Sequence, residues 1–195
     1  MTQMTCIDRY ILDGHLLGDA SILNHHPDRN KNWCFVLYSI HSEYLQYSAD
    51  TITCLKDRPI WSRAQKDKRT NKTYNSFYLR SLSEDYFTKQ RERWYPEGKK
   101  IVPCDLVITK ETLLSWYMDD GSISTSKGRY LATDSFTLED VNLLKKYLAR
   151  DLDIESAIHK NDSHFRLYIP VREVSKFEKC IGSCPVECFR YKWTG

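Results

Sequence analysis

Ile11-Leu12-Asp13-Gly14-His15-Leu16-Leu17-Gly18-Asp19-Ala20-Ser21-Ile22 and, about one hundred residues on, Leu113-Leu114-Ser115-Trp116-Tyr117-Met118-Asp119-Asp120-Gly121-Ser122-Ile123 are two copies of one pattern. Each reads as an apolar helix that ends at an acidic and a small residue, then takes the same Ser-Ile step into a strand. A helix carrying Leu12, Leu16 and Leu17 belongs in a core, where a glycine costs roughly 1 kcal/mol relative to alanine. Gly14 and Gly18 therefore need a reason. They lie four apart on one face, where two absent side chains let a second helix backbone approach. Ser115 and Asp119 hold the corresponding positions of the second copy, and Ser115 keeps most of the small size. If these faces pack together, Asp19 and Asp120 arrive at the shared end of the pair. Two carboxylates there repel unless protons or divalent cations intervene, which points to a metal site at the centre of a pseudo-twofold molecule. The competing reading, two unrelated helices that merely end in Asp, is opposed by the shared Asp-small-Ser-Ile ending.

Composition sets the outer bounds. A chain of 195 residues, 41% apolar, with seven glycines and six prolines, has enough material for one large domain or two small subdomains sharing a core, and should fold. The net charge of +3 does not by itself establish a nucleic-acid partner; the distribution of charge matters more. Seven cysteines, an odd number, behind a start without signal-like character suggest free thiols in a reducing, intracellular setting, cytoplasmic or organellar. No stretch approaches the apolar length needed to span a bilayer, so no membrane partner is expected.

Outward from the first copy, a motif helix over about residues 7–18 leads to a polar connection at 24–32. The strand Trp33-Cys34-Phe35-Val36-Leu37-Tyr38 follows, then a helix near 43–54 with Ser42 as its N-cap. His25 and His26 read as surface loop residues. Residues 56–72 carry Lys56, Arg58, Arg63, Lys66, Lys68, Arg69 and Lys72 against Asp57 and Asp67, on a hairpin led in by Trp61 and out by residues 74–80. Such a run is either a solvated face or, beside a carboxylate metal centre, a surface for DNA backbone and major groove. Ser83 suits the cap of a helix over 84–95 that Pro96 and Gly98 stop. Residues 99–108 then connect the repeats, with Lys99 and Lys100 as phosphate contacts or a solvated linker.

The second half repeats the plan. Thr109 caps a helix over 110–119; a hairpin turns at Lys127-Gly128 and returns through residues 129–133. Thr137 and Asp140 suit a capping box before the apolar helix face Val141, Leu143, Leu144, Tyr147 and Leu148. A strand pair at 156–160 and 164–169 and a final helix over 171–181 complete it. Phe77 and Leu79 match Phe165 and Leu167, so the duplication extends beyond the motif. The fold class is α+β: two pseudo-symmetric αββαββα repeats, residues 1–98 and 109–195, joined by 99–108, as a saddle for DNA with Gly14, Gly18, Ser115 and Asp119 at the helix interface.

Both opening stretches resemble the namesake motif of the LAGLIDADG homing endonucleases, in the two-motif, single-chain form. The run Trp94-Tyr95-Pro96-Glu97-Gly98-Lys99-Lys100-Ile101-Val102-Pro103, the pair Trp116-Tyr117 and the ending Tyr191-Lys192 resemble a branch common among group I intron endonucleases. The first copy departs by Ala20 in place of the final glycine, and the second by Ser115 at the small interface position; neither change removes an acidic ligand. The resemblance implies a monomeric, site-specific endonuclease for double-stranded DNA that recognises a long asymmetric target and leaves short 3′ overhangs. It further implies Mg2+ held by Asp19 and Asp120, a site Mn2+ or Ca2+ also occupies experimentally. The cation activates water and stabilises attacking and leaving oxygens. An auxiliary Lys or Gln near the water is another implication, with Lys66, Lys160 and His41 as candidates; for His41 a surface or helix-start role competes.

DNA-contact candidates on strands are Arg63, Gln65, Lys66, Lys68, Arg69, Lys72, Arg80, Arg129, Lys160 and Arg166, joined by Arg29, Lys31, Lys99, Lys100, Lys127 and Lys192 on turns, the connection and the tail. Strand alternation leaves open which of them point elsewhere. Asp119 turns about one hundred degrees from Asp120 on a helix, which suits interface or capping better than ligation. Cys180, Cys184 and Cys188 lack the two-residue ligand gap of a zinc site and are interrupted by Pro185, so free core thiols are the better reading. Tyr191, Lys192 and Trp193 either pin the tail or touch DNA. Two other functions stay in play: an intron RNA maturase or non-cleaving nucleic-acid binder on the same frame, and, more distantly, a two-carboxylate glycosidase.

Overall fold

The computed structural model describes residues 4–25, 27–28, 31–66, 71 and 73–194, side chains at 65, 66 and 74 excepted. Its elements run α1 (Cys6–Leu17), β1 (Ser21–Leu23), β2 (Cys34–Ser39), α2 (Ser42–Thr51), β3 (Ile60–Lys66), β4 (Thr73–Arg80) and α3 (Asp85–Trp94). The same succession returns as α4 (Lys110–Asp120), β5 (Gly121–Ile123), β6 (Arg129–Ala132), α5 (Leu138–Leu152), β7 (Ala157–Asn161), β8 (His164–Ile169) and α6 (Val171–Ile181), followed by a 3-10 turn at Glu187–Lys192. Two antiparallel sheets have the identical strand order, β1-β2-β4-β3 and β5-β6-β8-β7. The pairing Leu37↔Leu79 in the first corresponds to Leu131↔Leu167 in the second. The two αββαββα repeats expected from the sequence are thus the architecture.

Local chemistry explains the element ends. The Thr109 hydroxyl accepts from the Thr112 amide at the start of α4. Thr137 and Asp140 form the reciprocal capping box of α5. At α2 the cap position falls to His41, one residue before the expected Ser42, and no side chain caps there. Its amide donates to Ser39 Oγ at 3.1 Å.

Compact units and sequence repeats are different divisions of this chain. One unit comprises Asp19–Arg91; the other joins Cys6–Gly18 to the residues from Glu92 onward. In the first unit, Phe35, Leu37, Tyr44, Leu45, Leu79 and Phe87 are buried between sheet and helices. In the second, the core gathers Leu12, Leu16 and Leu17 of α1 with Leu113, Trp116 and Tyr117 of α4, and Leu131, Leu144, Leu167 and Phe177 beyond them. All seven cysteines are free thiols. Among the described residues no helix is long and apolar enough to cross a membrane.

Candidate active site at the motif-helix ends

Gly14 and Gly18 are the reason α1 can lie against α4. A Cβ built on Gly14 would sit 2.3 Å from the Thr112 carbonyl oxygen and 2.8 Å from Ser115 Cβ; one on Gly18 would sit 2.4 Å from Asp119 Cβ. Real Cβ atoms do not approach so closely, so only glycine allows this backbone separation. Gly14 opposite Ser115 and Gly18 opposite Asp119 also fix the register, with the helices running in the same direction. The contact is sealed by His15, whose Nδ1 is 3.0 Å from Asp119 Oδ2, with side chains 2% and 0% exposed. Asp119 therefore serves the helix pair. The next residue along each chain is a motif carboxylate: Asp19, exposed, follows Gly18, and Asp120, half-buried, follows Asp119.

Each helix end is held by a lysine. Lys100 Nζ donates to the Gly18 carbonyl at 3.4 Å. Lys192 Nζ donates to the carbonyls of Tyr117 (3.4 Å), Met118 and Asp119 (3.0 Å), while the Tyr117 hydroxyl donates to the Lys192 carbonyl at 2.6 Å. The last carbonyls of a helix lack intrahelical donors and carry its negative end, so an ammonium satisfies both needs. Lys192 is 5% exposed. Expected among the DNA contacts, it is instead an internal cap, because three carbonyls take its donors.

Asp13, at the middle of α1, anchors the connection to the second repeat. Arg93 grips it through Nη1–Oδ1 at 2.7 Å and Nη2–Oδ2 at 3.3 Å, Trp94 Nε1 donates to it at 3.1 Å, and Arg93 Nε reaches Asp105 at 2.7 Å. Burial pushes the Asp13 carboxyl up, and the hydrogen bonds and charge of Arg93 do not cancel that.

The sheet faces carry the rest. On the first, Trp61 stacks on Tyr78 (6.5 Å, 14°), Tyr38 lies against Tyr78, and the Arg80 guanidinium is 5.9 Å from the Trp61 ring. Arg63, two residues after Trp61, has the same strand parity and is exposed. Gln65 and Lys66 lie on β3 through their backbone; their side chains, like His26, Arg29, Lys68, Arg69 and Lys72, are outside the described residues. Lys31, Lys99 and Lys127 are exposed, and Lys100 is half-buried.

On the second sheet the register and burial sort the candidates. Lys160 pairs with Phe165 and has the parity of Ile158, so the face with Arg166 receives His159 instead. Arg129 is buried: its Nη2 is bound by Glu178 and its Nη1 donates to the Lys127 carbonyl at 2.7 Å. Arg166 is paired with Asp134, whose hydrogen bonds and charge push the guanidinium pKa up, and Asp120 is also among the charges acting on it. Tyr130, Tyr168 and His159 form the aromatic cluster of this face. These rings and Asp134 escaped sequence reasoning; alternation around Ile158 and Leu167 is the signal that finds His159 and Tyr168 once the register is known. Among the described residues no group of three His, Cys, Asp or Glu side chains is placed to hold a metal, and the Cys184 thiol donates to the Val186 carbonyl at 3.0 Å.

Comparison with known proteins decides the family. The model of the LAGLIDADG DNA endonuclease family matches residues 9–177. The chain belongs to that family. It is 35% identical over 148 residues to an uncharacterised protein of Methanocaldococcus jannaschii, a match covering 72% of this chain and 54% of that protein. The chain thus spans about half the length of that relative. It is 28% identical over 199 residues to a cytochrome b mRNA maturase bI2 of Debaryomyces hansenii, covering 95% and 74%. Its fold is similar to that of the homing endonuclease I-WcaI bound to its DNA recognition sequence, with a TM-score of 0.87, 23% identity and coverage of 98% and 88%. In LAGLIDADG terms, α1 and α4 are the two motif helices.

Proposed function

We propose that this chain is a site-specific endonuclease for double-stranded DNA, dependent on a divalent cation, acting as a monomer on a long asymmetric target and leaving short 3′ overhangs. The observation that carries the reading is the contact of Gly14 and Gly18 with Thr112, Ser115 and Asp119. It brings two helix ends into register immediately before the carboxylates Asp19 and Asp120. Family membership supports it.

The donor set fits a hard cation. Asp19 and Asp120 offer oxygen only, the donor type that Mg2+ prefers. That ion is commonly bound by one or two carboxylates plus water and substrate phosphate. Once bound, the cation supplies a water of lowered pKa and neutralises charge on the departing oxygen. The protein's own part is to hold Asp19 and Asp120 at the ends of a glycine-packed helix pair, with Lys100 and Lys192 fixing the last carbonyls of each helix. Arg63 and Arg80 on one sheet and His159 and Arg166 on the other differ between repeats, which suits a target whose halves differ.

Cleavage of a randomised duplex library by the purified protein with Mg2+ tests this, with EDTA and an Asp19→Asn/Asp120→Asn double variant beside it. Enrichment of one long site cut only by the metal-loaded wild type is expected. The similarity to a protein named as an mRNA maturase favours a second reading, promotion of intron RNA splicing. Protein-dependent splicing that survives the double substitution, with no site cut in the library, would put that reading first.

A further inference from the structure

β7 and β8 place His159 and Arg166 side by side as a cross-strand pair. They lie on the sheet face opposite Leu131, Leu167 and Ile169, which are fully buried. Arg166 is gripped along one edge: Nε lies 3.1 and 3.2 Å from the Asp134 oxygens and Nη2 lies 2.7 Å from Oδ2. With its amide turned carbonyl-first, Asn161 accepts from the same two nitrogens at 3.3 and 3.1 Å. A guanidinium has five donors in one plane. Both partners lie on the Nε–Nη2 edge, so the tip of the fork is formed by Nη1, which no side chain among the described residues takes, and by the Nη2 hydrogen turned away from that edge. The Arg166 and Asp134 side chains are still 37% and 36% exposed.

The charges around this fork decide what it can read. The Arg166 guanidinium holds the Asp134 carboxyl below the ordinary carboxylate range, so Asp134 is ionised. A phosphate arriving at Arg166 would meet the ionised Asp134 carboxylate already seated on it. A neutral acceptor pair meets no such repulsion, and the O6/N7 edge of guanine is the commonest partner of an arginine fork in the major groove. His159 is fixed as firmly. Its ring stacks on Tyr168 at 4.4 Å and 19°, and its Nδ1 is 2.9 Å from the Tyr130 hydroxyl. Tyr168 in turn shares a 2.9 Å hydrogen bond with Ser126 and lies over Gly128, where a Cβ would come within 2.4 Å of the ring. In the tautomer in which Tyr130 donates to Nδ1, the ring proton sits on Nε2 and makes it a second donor.

We propose that Arg166 reads guanine in the half-site facing the second sheet, that Asp134 is its positioning residue, and that His159 selects an acceptor-bearing base at the neighbouring step and rejects the amino group of cytosine. The inference rests on the chain being a duplex-DNA protein. Its test is a binding selection from a randomised duplex library with Ca2+ in place of Mg2+. Wild type is compared with Arg166→Lys, Asp134→Ala and His159→Ala, each checked by circular dichroism for an unchanged fold.

Wild type should enrich guanine at one position. Arg166→Lys and Asp134→Ala should each lower that preference about ten- to a hundredfold at that position alone, the discrimination expected of one bidentate pair. His159→Ala should relax the adjacent base pair, and the dependence of binding on salt should stay as in wild type. Lysine keeps the charge and loses the fork, so it separates the two kinds of contact. An unchanged base profile with uniformly weaker binding and a shallower salt slope would mean a phosphate contact and overturn the inference. So would a wild type that enriches no sequence. A guanine-dependent site that is bound yet never cut in Mg2+ would sink the cleavage reading while supporting this one.

Discussion

Asp13 shows how a single side chain can be essential to the frame and costly at once. Its carboxyl accepts from both Arg93 and Trp94 while burial opposes its charge. Asp13→Ala would leave an arginine and an indole N–H without that acceptor, and should destabilise the protein by about 2–3 kcal/mol in urea melts. A carboxyl raised by burial contributes its full stability below its unfolded pKa and loses it as pH rises through the raised folded value. The advantage of wild type over Asp13→Asn should therefore shrink as pH climbs above the ordinary carboxylate value of about 4. A widening gap would contradict the upward shift. Asp134 has the opposite sign: Arg166 lowers it, so its stabilisation is present above the unfolded pKa and is lost as pH falls through the lower folded value. Melts of wild type and Arg166→Ala should differ at neutral pH and converge in acid. Charge was legible in the sequence at these positions, but its use was not. Arg129 and Lys192 look like surface cations until tertiary partners show them buried, and one step of strand parity separates Lys160 from His159.

The helix pair is the element on which the proposed chemistry rests. Gly14→Ala drives a methyl onto a backbone oxygen, which cannot move aside as a side-chain tip can. Overpacking of this kind costs about 1–3 kcal/mol, and the expected outcome is a lower melting temperature together with slower DNA cleavage. Lys192→Met removes the ammonium from three carbonyls at the end of α4, an expected loss of about 1–3 kcal/mol. Because that end presents Asp120, cleavage should fall further than duplex binding does; equal losses in both would argue that the tail contacts DNA. This element was the most legible part of the chain, since glycines four apart in an apolar helix state a packing requirement directly. The lysine caps were not legible, because the tail and the connection reach the helices only through the tertiary fold.

At the scale of the molecule, duplication gives two sheets of one topology and unlike faces. Trp61, Tyr78 and Arg80 on the first and Tyr130, His159 and Arg166 on the second are not interchangeable, which suits the asymmetric target proposed above. The repeat order and nearly every element could be read from periodicity and turn residues. The compact units, which divide after Gly18 and after Arg91 and so cut across the first repeat, could not be read that way. In the proposed function Asp19 and Asp120 act together in cutting a duplex. This is tested most directly by the rate at which wild type, Asp19→Asn and Asp120→Asn cut the selected site with Mg2+, beside their affinities for that site with Ca2+. Each substitution alone should abolish double-strand cleavage while affinity stays within a few-fold of wild type. Full cleavage by either variant would contradict the shared site.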